Sequence, residues 1–156
     1  MAEAIVLSVN GTDHQVEVDP DTPLLTVLRN DLGLFAAKLG CGLEQCRACV
    51  VIVDGEATPS CVLAAADCAG RQITTLEGIG TPERPHPLQL AFLDEHAAQC
   101  GYCIPGMIVA AKALLDATPE PSDQQIRDAL AANLCRCGTH PRILAAVRRA
   151  SRELAR

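Results

Sequence analysis

Four cysteines constrain the first half of this chain more than anything else in it: Cys41, Cys46 and Cys49 in the spacing C-x4-C-x2-C, then Cys61 after eleven intervening residues. That is the ligand order of a plant-type [2Fe–2S] site. The spacing answers a geometric demand. Four thiolates must meet on a small diamond of iron and sulfide, so three come from one loop and the fourth from a neighbouring strand. Structural zinc also takes four thiolates, but it usually recruits them as two C-x2-4-C knuckles rather than three within nine residues.

The chain of 156 residues has room for one generous domain or two compact ones stapled by metal. Phe35, Phe92 and Tyr102 are its only aromatics, so the core has to be built from Leu, Val, Ile and Ala, a composition that suits helices. Nine cysteines is an odd count, and Met1-Ala2-Glu3 leads directly into a strand-like pattern. A secreted disulfide scaffold is therefore not expected, and a reducing, cytoplasmic compartment is. No apolar run reaches membrane-spanning length. The formal charge of −6 falls to about −10 once two clusters of about −2 each are counted, which would repel nucleic acid.

Residues 4–9 and 14–19 alternate apolar and polar around Asn10-Gly11, predicting a β-hairpin with a two-residue turn. Pro23 follows Asp21-Thr22 as a first-turn proline after a cap, and Leu24, Leu25, Leu28 and Leu32 recur at helical spacing up to Gly33. After the cysteine loop, Val50–Val53 reads as a buried strand ended by Asp54-Gly55, and residues 71–75 as one more strand. Hairpin, crossing helix and cysteine loop follow the order of a β-grasp ferredoxin domain over residues 1–76. Residues 77–86, rich in glycine and proline, read as a linker. From residue 87 to 156 the period becomes helical, with helices expected at about 87–98, 105–117, 123–133 and 141–155. Ser122 to Gln125 has the form of a capping box, and Pro87, Pro105 and Pro141 stand as first-turn prolines. The fold class expected is α+β, a β-grasp domain followed by a four-helix bundle.

A second constellation lies in the bundle: Cys100 and Cys103 between the first two helices, Cys135 and Cys137 between the last two. Each loop ends at a proline-started helix, so helix N-termini point toward the thiolates. Two facing loops of this kind can hold another cluster, with zinc again the plainer alternative. Cys68 reads as a small apolar core residue. His14, His86 and His96 read as solvated, His140 as a helix cap, and Tyr102 as packing at a surface. Arg136 fits a phosphate, an acidic partner surface or a salt bridge within the bundle.

The chain resembles the small iron–sulfur subunit of the molybdenum hydroxylases, the xanthine oxidase and aldehyde oxidoreductase family. Carrying the resemblance are Leu28-Arg29, Leu32-Gly33-Leu34, Lys38, Gly40-Cys41, Gln45-Cys46, Ser60-Cys61, Gln99 to Cys103 with Pro105-Gly106-Met107, and Asn133 to Gly138. The ending Cys137-Gly138-Thr139-His140-Pro141-Arg142 is most similar to subunits that serve isoquinoline and nicotinate dehydrogenases.

The resemblance implies that a large partner subunit holds molybdopterin and oxidises an N-heterocycle or an aldehyde. This chain would then carry electrons singly to a flavin (FAD) subunit or a haem-bearing c-type cytochrome. It implies that Cys100, Cys103, Cys135 and Cys137 hold the cluster nearer the pterin, touched by the Gln99 side chain and the Cys137 backbone. Cys41, Cys46, Cys49 and Cys61 would hold the outer one. A free-standing two-cluster ferredoxin and a zinc-stapled interaction module are the alternatives. The family pattern has glycine where this chain has Ala36, Glu44 and Arg47. At Arg47, between two ligands, either a left-handed backbone or a shifted loop is expected, and its charge, if near the sulfurs, raises that cluster's potential.

Overall fold

The computed structural model describes residues 1–156. β1 (Glu3–Val9) and β2 (Thr12–Val18) form the expected antiparallel hairpin, Val9 facing Thr12 and Glu3 facing Val18. Asn10 and Gly11 turn it with φ of 53° and 79°, the left-handed pair a type I′ turn requires. β3 (Val50–Val53) and β4 (Glu56–Pro59) form a second hairpin, and β5 (Gln72–Thr74) slots between β1 and β3. β5 runs parallel to β1 and antiparallel to β3, which completes the β-grasp sheet in the order β2-β1-β5-β3-β4. β4 has no apolar alternation to announce it, and only its pairing with β3 defines it.

The crossing helix α1 differs from its sequence reading. It is α-helical over Leu24–Thr26 and π-helical over Val27–Asp31, where Leu32 N–H reaches back to the Val27 carbonyl at 3.1 Å. Pro23 sits at the cap position rather than inside the first turn, and no side chain caps the helix. Instead, the N–H groups of Leu24 and Leu25 donate to the carbonyls of Leu63 (2.8 Å) and Ser60 (2.9 Å). Orphan donors at the helix start are thus satisfied by the segment that carries Cys61, which fixes that segment in place.

The second half holds α2 (Leu76–Ile79), α3 (Pro87–Asp94), α4 (Ile104–Ala117), α5 (Asp123–Leu130) and α6 (His140–Leu154). The Ser122–Gln125 capping box forms as expected, with bonds of 3.3 and 2.8 Å. Two histidine readings are corrected. His86 is not solvated: its Nδ1 accepts from Leu88 N–H at 3.1 Å and caps α3, while Gln89 Oε1 accepts from its N–H at 2.8 Å. Burial, with Lys112 adding to it, pushes the His86 pKa down. His140 does not cap α6 but lies inside it, exposed, and Thr139 takes the cap position.

β3 joins the two halves. Its four side chains are all buried, and they alternate between two cores. Val51 and Val53 pack with Leu7, Leu24, Leu28 and Ile73, whereas Val50 and Ile52 pack with α4 through Met107 and its neighbours. Ile108, Val109, Leu115 and Phe92 are buried in the core that β3 closes, and Leu114 packs against it half-buried.

Gly106 marks the closest approach between the halves. A Cβ built on it would lie 2.4 Å from the Arg47 carbonyl and 3.3 Å from Ala48 Cα. Glycine-to-alanine in a helix interior ordinarily stabilises by roughly 1 kcal/mol. Here overpacking reverses the sign, and Gly106→Ala is expected to destabilise by about 1–3 kcal/mol in denaturant unfolding. An alanine variant at least as stable as the parent would contradict the packing described.

A candidate pair of iron–sulfur centres

The first loop curls because its backbone enters the left-handed region repeatedly: Gly42, Glu44 and Arg47 have φ of 69°, 60° and 54°. Of the two outcomes foreseen for Arg47, the left-handed backbone is the one found. This curl turns N–H groups inward. Cys41 N–H donates to Cys46 Sγ, and the N–H groups of Leu43 and Cys46 donate to Cys41 Sγ, each at 3.3 Å. A Cβ on Gly40 would stand 2.6 Å from Cys46 Sγ, so the loop leaves its sulfur no room for any larger residue there. Cys49 and Cys61 lie deeper, at 2% and 8% exposure. Ser60 ties them together, its hydroxyl and N–H both donating to the Cys49 carbonyl at 2.6 and 3.3 Å.

The electrostatics differ along the loop. Leu43 and Cys46 N–H groups pull the exposed Cys41 thiol down to about 7, so it is substantially thiolate near neutrality. Burial, reinforced by the Cys61 thiol, pushes Cys49 up to about 11. Such a thiol gives up its proton only to a strong positive charge such as a metal.

In the second half, Cys100, Cys103, Cys135 and Cys137 are brought together at the start of α4 and ahead of α6. Burial, together with the adjacent Cys135 thiol, pushes Cys103 up to about 12. Burial also presses on Cys135, but the N–H groups of Cys137, Gly138 and Thr139 and the Cys103 thiol outweigh it and hold Cys135 below the ordinary thiol value.

Within each set neighbouring thiols act on one another: Cys41 and Cys46, Cys49 and Cys61, Cys103 and Cys135, and Cys100 and Cys137, with Cys100 also acting on Cys103 and Cys135 on Cys137. A two-iron cluster would take two thiolates on each iron, and each set has the four thiols that this needs. The donor sets, the inward N–H groups and the space reserved by Gly40 all fit a dinuclear cluster.

The loops touch each other. Leu134 N–H donates to the Cys46 carbonyl at 3.1 Å, and Asn133 Nδ2 donates to the Arg47 carbonyl at 3.2 Å. Cys46, Cys100, Cys103 and Cys135 all line one cavity of about 210 Å³ between them. Cys137 lines that cavity too, and together with Gln99, Thr139 and Arg142 it lines a second one of about 350 Å³. Tyr102 does more than pack, since its hydroxyl donates to the Leu39 carbonyl at 2.6 Å. Arg136 makes no ion pair within the chain and lines a cavity of about 630 Å³ beside Arg127 and His140. Cys68 is fully buried in the first core, as expected.

Sequence reasoning missed several supports. Glu77, in the linker stretch, accepts from Ala36 N–H at 2.8 Å and from the Thr75 hydroxyl at 2.6 Å, steadying the approach to the first loop. Arg29 donates to the carbonyls of Phe35 and Ala37 at 2.9 and 2.7 Å. Asn133 was visible as a flank of Cys135, but its partner, 86 positions earlier, was not.

Comparison with known proteins agrees with this geometry. Residues 7–74 match the family described as "2Fe-2S iron-sulfur cluster binding domain", and residues 75–148 match "[2Fe-2S] binding domain". One of the subunits of nicotinate dehydrogenase from Pseudomonas putida is 63% identical over 151 residues, which cover 97% of this chain and 96% of that protein. The alpha chain of isoquinoline 1-oxidoreductase from Brevundimonas diminuta is 48% identical, with 94% and 97% covered. Among solved structures, quinoline 2-oxidoreductase from Pseudomonas putida 86 superposes with a TM-score of 0.93 at 32% identity, over 99% of this chain and 96% of that one. The aldehyde oxidoreductase of Desulfovibrio desulfuricans gives 0.95 at 44% identity, with 98% of this chain matching 17% of a much longer polypeptide. Two [2Fe–2S] binding domains in this order, in a chain matched nearly end to end by such subunits, place it in one family: the chain belongs to the iron–sulfur small subunits of the molybdenum hydroxylases, the xanthine oxidase group.

Proposed function

We propose that Cys41, Cys46, Cys49 and Cys61 hold one [2Fe–2S] cluster and Cys100, Cys103, Cys135 and Cys137 the other, in units spanning 1–76 and 87–156 joined by 77–86. Each cluster, when bound, supplies a one-electron couple. The protein's part is to deprotonate and pair the thiols, exclude water from the inner sulfurs and hold the two sets close in series.

One observation carries this reading. From Cys46 to Cys135 the route is covalent except for the single bond from Leu134 N–H to the Cys46 carbonyl, so a ligand of each set lies at either end of one short bridge. The chain thus acts as the electron-transfer part of an oxidoreductase, and substrate oxidation falls to a large molybdopterin subunit. That subunit sits against the cavity shared by Gln99 and Cys137, where the Gln99 side chain and the Cys137 backbone contact the pterin. The names of its relatives favour an N-heterocycle as the molecule oxidised, with an aldehyde the second choice.

Electrons leave on the Cys41 side to a flavin subunit or a c-type cytochrome. Cys41 is exposed there, beside Leu39, Leu43 and Tyr102, which are 58%, 66% and 49% exposed. An apolar collar around a redox centre suits a docked partner better than a free-standing carrier coated with polar groups. No helix is long and apolar enough to cross a membrane. The cysteine spacings are those of metal loops and not of a disulfide framework, which favours the reducing cytoplasm as the compartment.

Two outcomes follow. The parent should carry about four irons and four acid-labile sulfides per chain. Cys49→Ser should remove one reduced-state EPR signal and Cys137→Ser the other, each leaving the remaining signal intact. Zinc in place of iron, or loss of the same signal in both variants, would contradict the assignment. Arg47→Gly should relieve about 1 kcal/mol of left-handed strain and, if the guanidinium lies near the sulfurs, lower the potential of the first cluster, since a cation there favours the more negative reduced state. Redox titration showing an unchanged or higher potential would reject the electrostatic role.

A further inference from the structure

Thr139 stands at the cap position of α6, where threonine ordinarily accepts a hydrogen bond from the second or third helical N–H. Neither is open to it. The second helical residue is Pro141, which has no N–H, and the N–H of Arg142 already donates to the Thr139 carbonyl at 3.0 Å. The Thr139 hydroxyl is left sealed from solvent with no hydrogen-bond partner, although the residue as a whole is half-buried. A buried hydroxyl without a partner carries the full cost of its lost hydration, so such groups call for an explanation. Its surroundings supply one. The residue follows Cys137 by two positions and lies on one cavity wall with Cys137 and Gly138.

We propose that the Thr139 hydroxyl donates a hydrogen bond to a sulfur of the cluster held by Cys100, Cys103, Cys135 and Cys137, raising the reduction potential of that cluster. This rests on the ligand assignment above. Reduction adds one negative charge, spread over the iron–sulfide core and its thiolates, and a fixed donor stabilises that charge more in the reduced than in the oxidised state. A hydroxyl donor in that place makes Thr139 a positioning and tuning residue. It takes no part in moving protons or electrons itself. The first cluster has no counterpart, since its short contacts to sulfur all come from backbone N–H groups.

The test is a redox titration monitored by EPR on the iron-loaded full chain and on its complex with the large subunit. Thr139→Val is compared with Thr139→Ser and with the parent. The valine variant should lower the potential of the bundle cluster in both preparations and leave the other cluster unchanged, and serine should restore it. In the parent exchanged into deuterated water, ENDOR should show a strongly coupled exchangeable deuteron at the reduced bundle cluster that the valine variant lacks. If valine prevents the cluster from loading, the deuteron in the parent and its retention in the serine variant decide the matter. An unchanged potential in the valine variant would overturn the proposal, as would a shift seen only in the molybdenum-loaded complex, which would assign the hydroxyl to the pterin. A parent whose iron is absent from the bundle would instead refute the underlying ligand assignment, an outcome read from the parent alone.

Discussion

The carbonyls of Cys46 and Arg47 point out of the first cysteine loop and are taken up by Leu134 N–H and Asn133 Nδ2 from the second half of the chain. Everything that makes this a two-centre protein depends on that junction. A loop wrapped around its own sulfurs has few backbone groups to spare for the rest of the molecule, and here two of them reach across to the residues just before Cys135. Gly106 lets the helix come near enough for this to happen. Each such bond contributes about 0.5–1.5 kcal/mol net, far less than the burial of Val50 and Ile52 against α4. Burial therefore holds the halves together, and the hydrogen bonds fix which atoms face each other.

The same junction left a polar cost. Asn133 is 4% exposed, and with Nδ2 committed to Arg47 its Oδ1 has no partner. An apolar residue there would avoid this cost but would forfeit the bond to the Arg47 carbonyl.

Much of this was legible beforehand. The hairpin followed from alternation around Asn10-Gly11 and the bundle from its helical period and proline starts, because each is a local pattern, and the four bundle cysteines expected to face one another do line one cavity. What could not be read depends on contacts distant in sequence. The π-helical stretch of α1 and the pinning of Cys61 by its N-terminus arise from tertiary hydrogen bonds. His86 looked like any exposed histidine until the chain placed its Nδ1 over Leu88 N–H. α5 stops at Leu130, short of the residue 133 that periodicity suggested, and Asn133 is then seen bound to Arg47. Of the three departures from the glycine pattern that the sequence did flag, Glu44 and Arg47 both proved to hold the left-handed backbone that glycine would have taken.

What would make this chain an electron carrier is a diiron core, and not a single metal ion, in each thiol set. Mössbauer spectroscopy of iron-57-enriched protein examines that distinction directly. The oxidised protein should show only the diamagnetic doublets of spin-coupled ferric pairs, and full reduction should convert each pair to one ferrous and one ferric site. A spectrum dominated by magnetically isolated ferric or ferrous iron, or iron present only as an impurity beside stoichiometric zinc, would contradict the account.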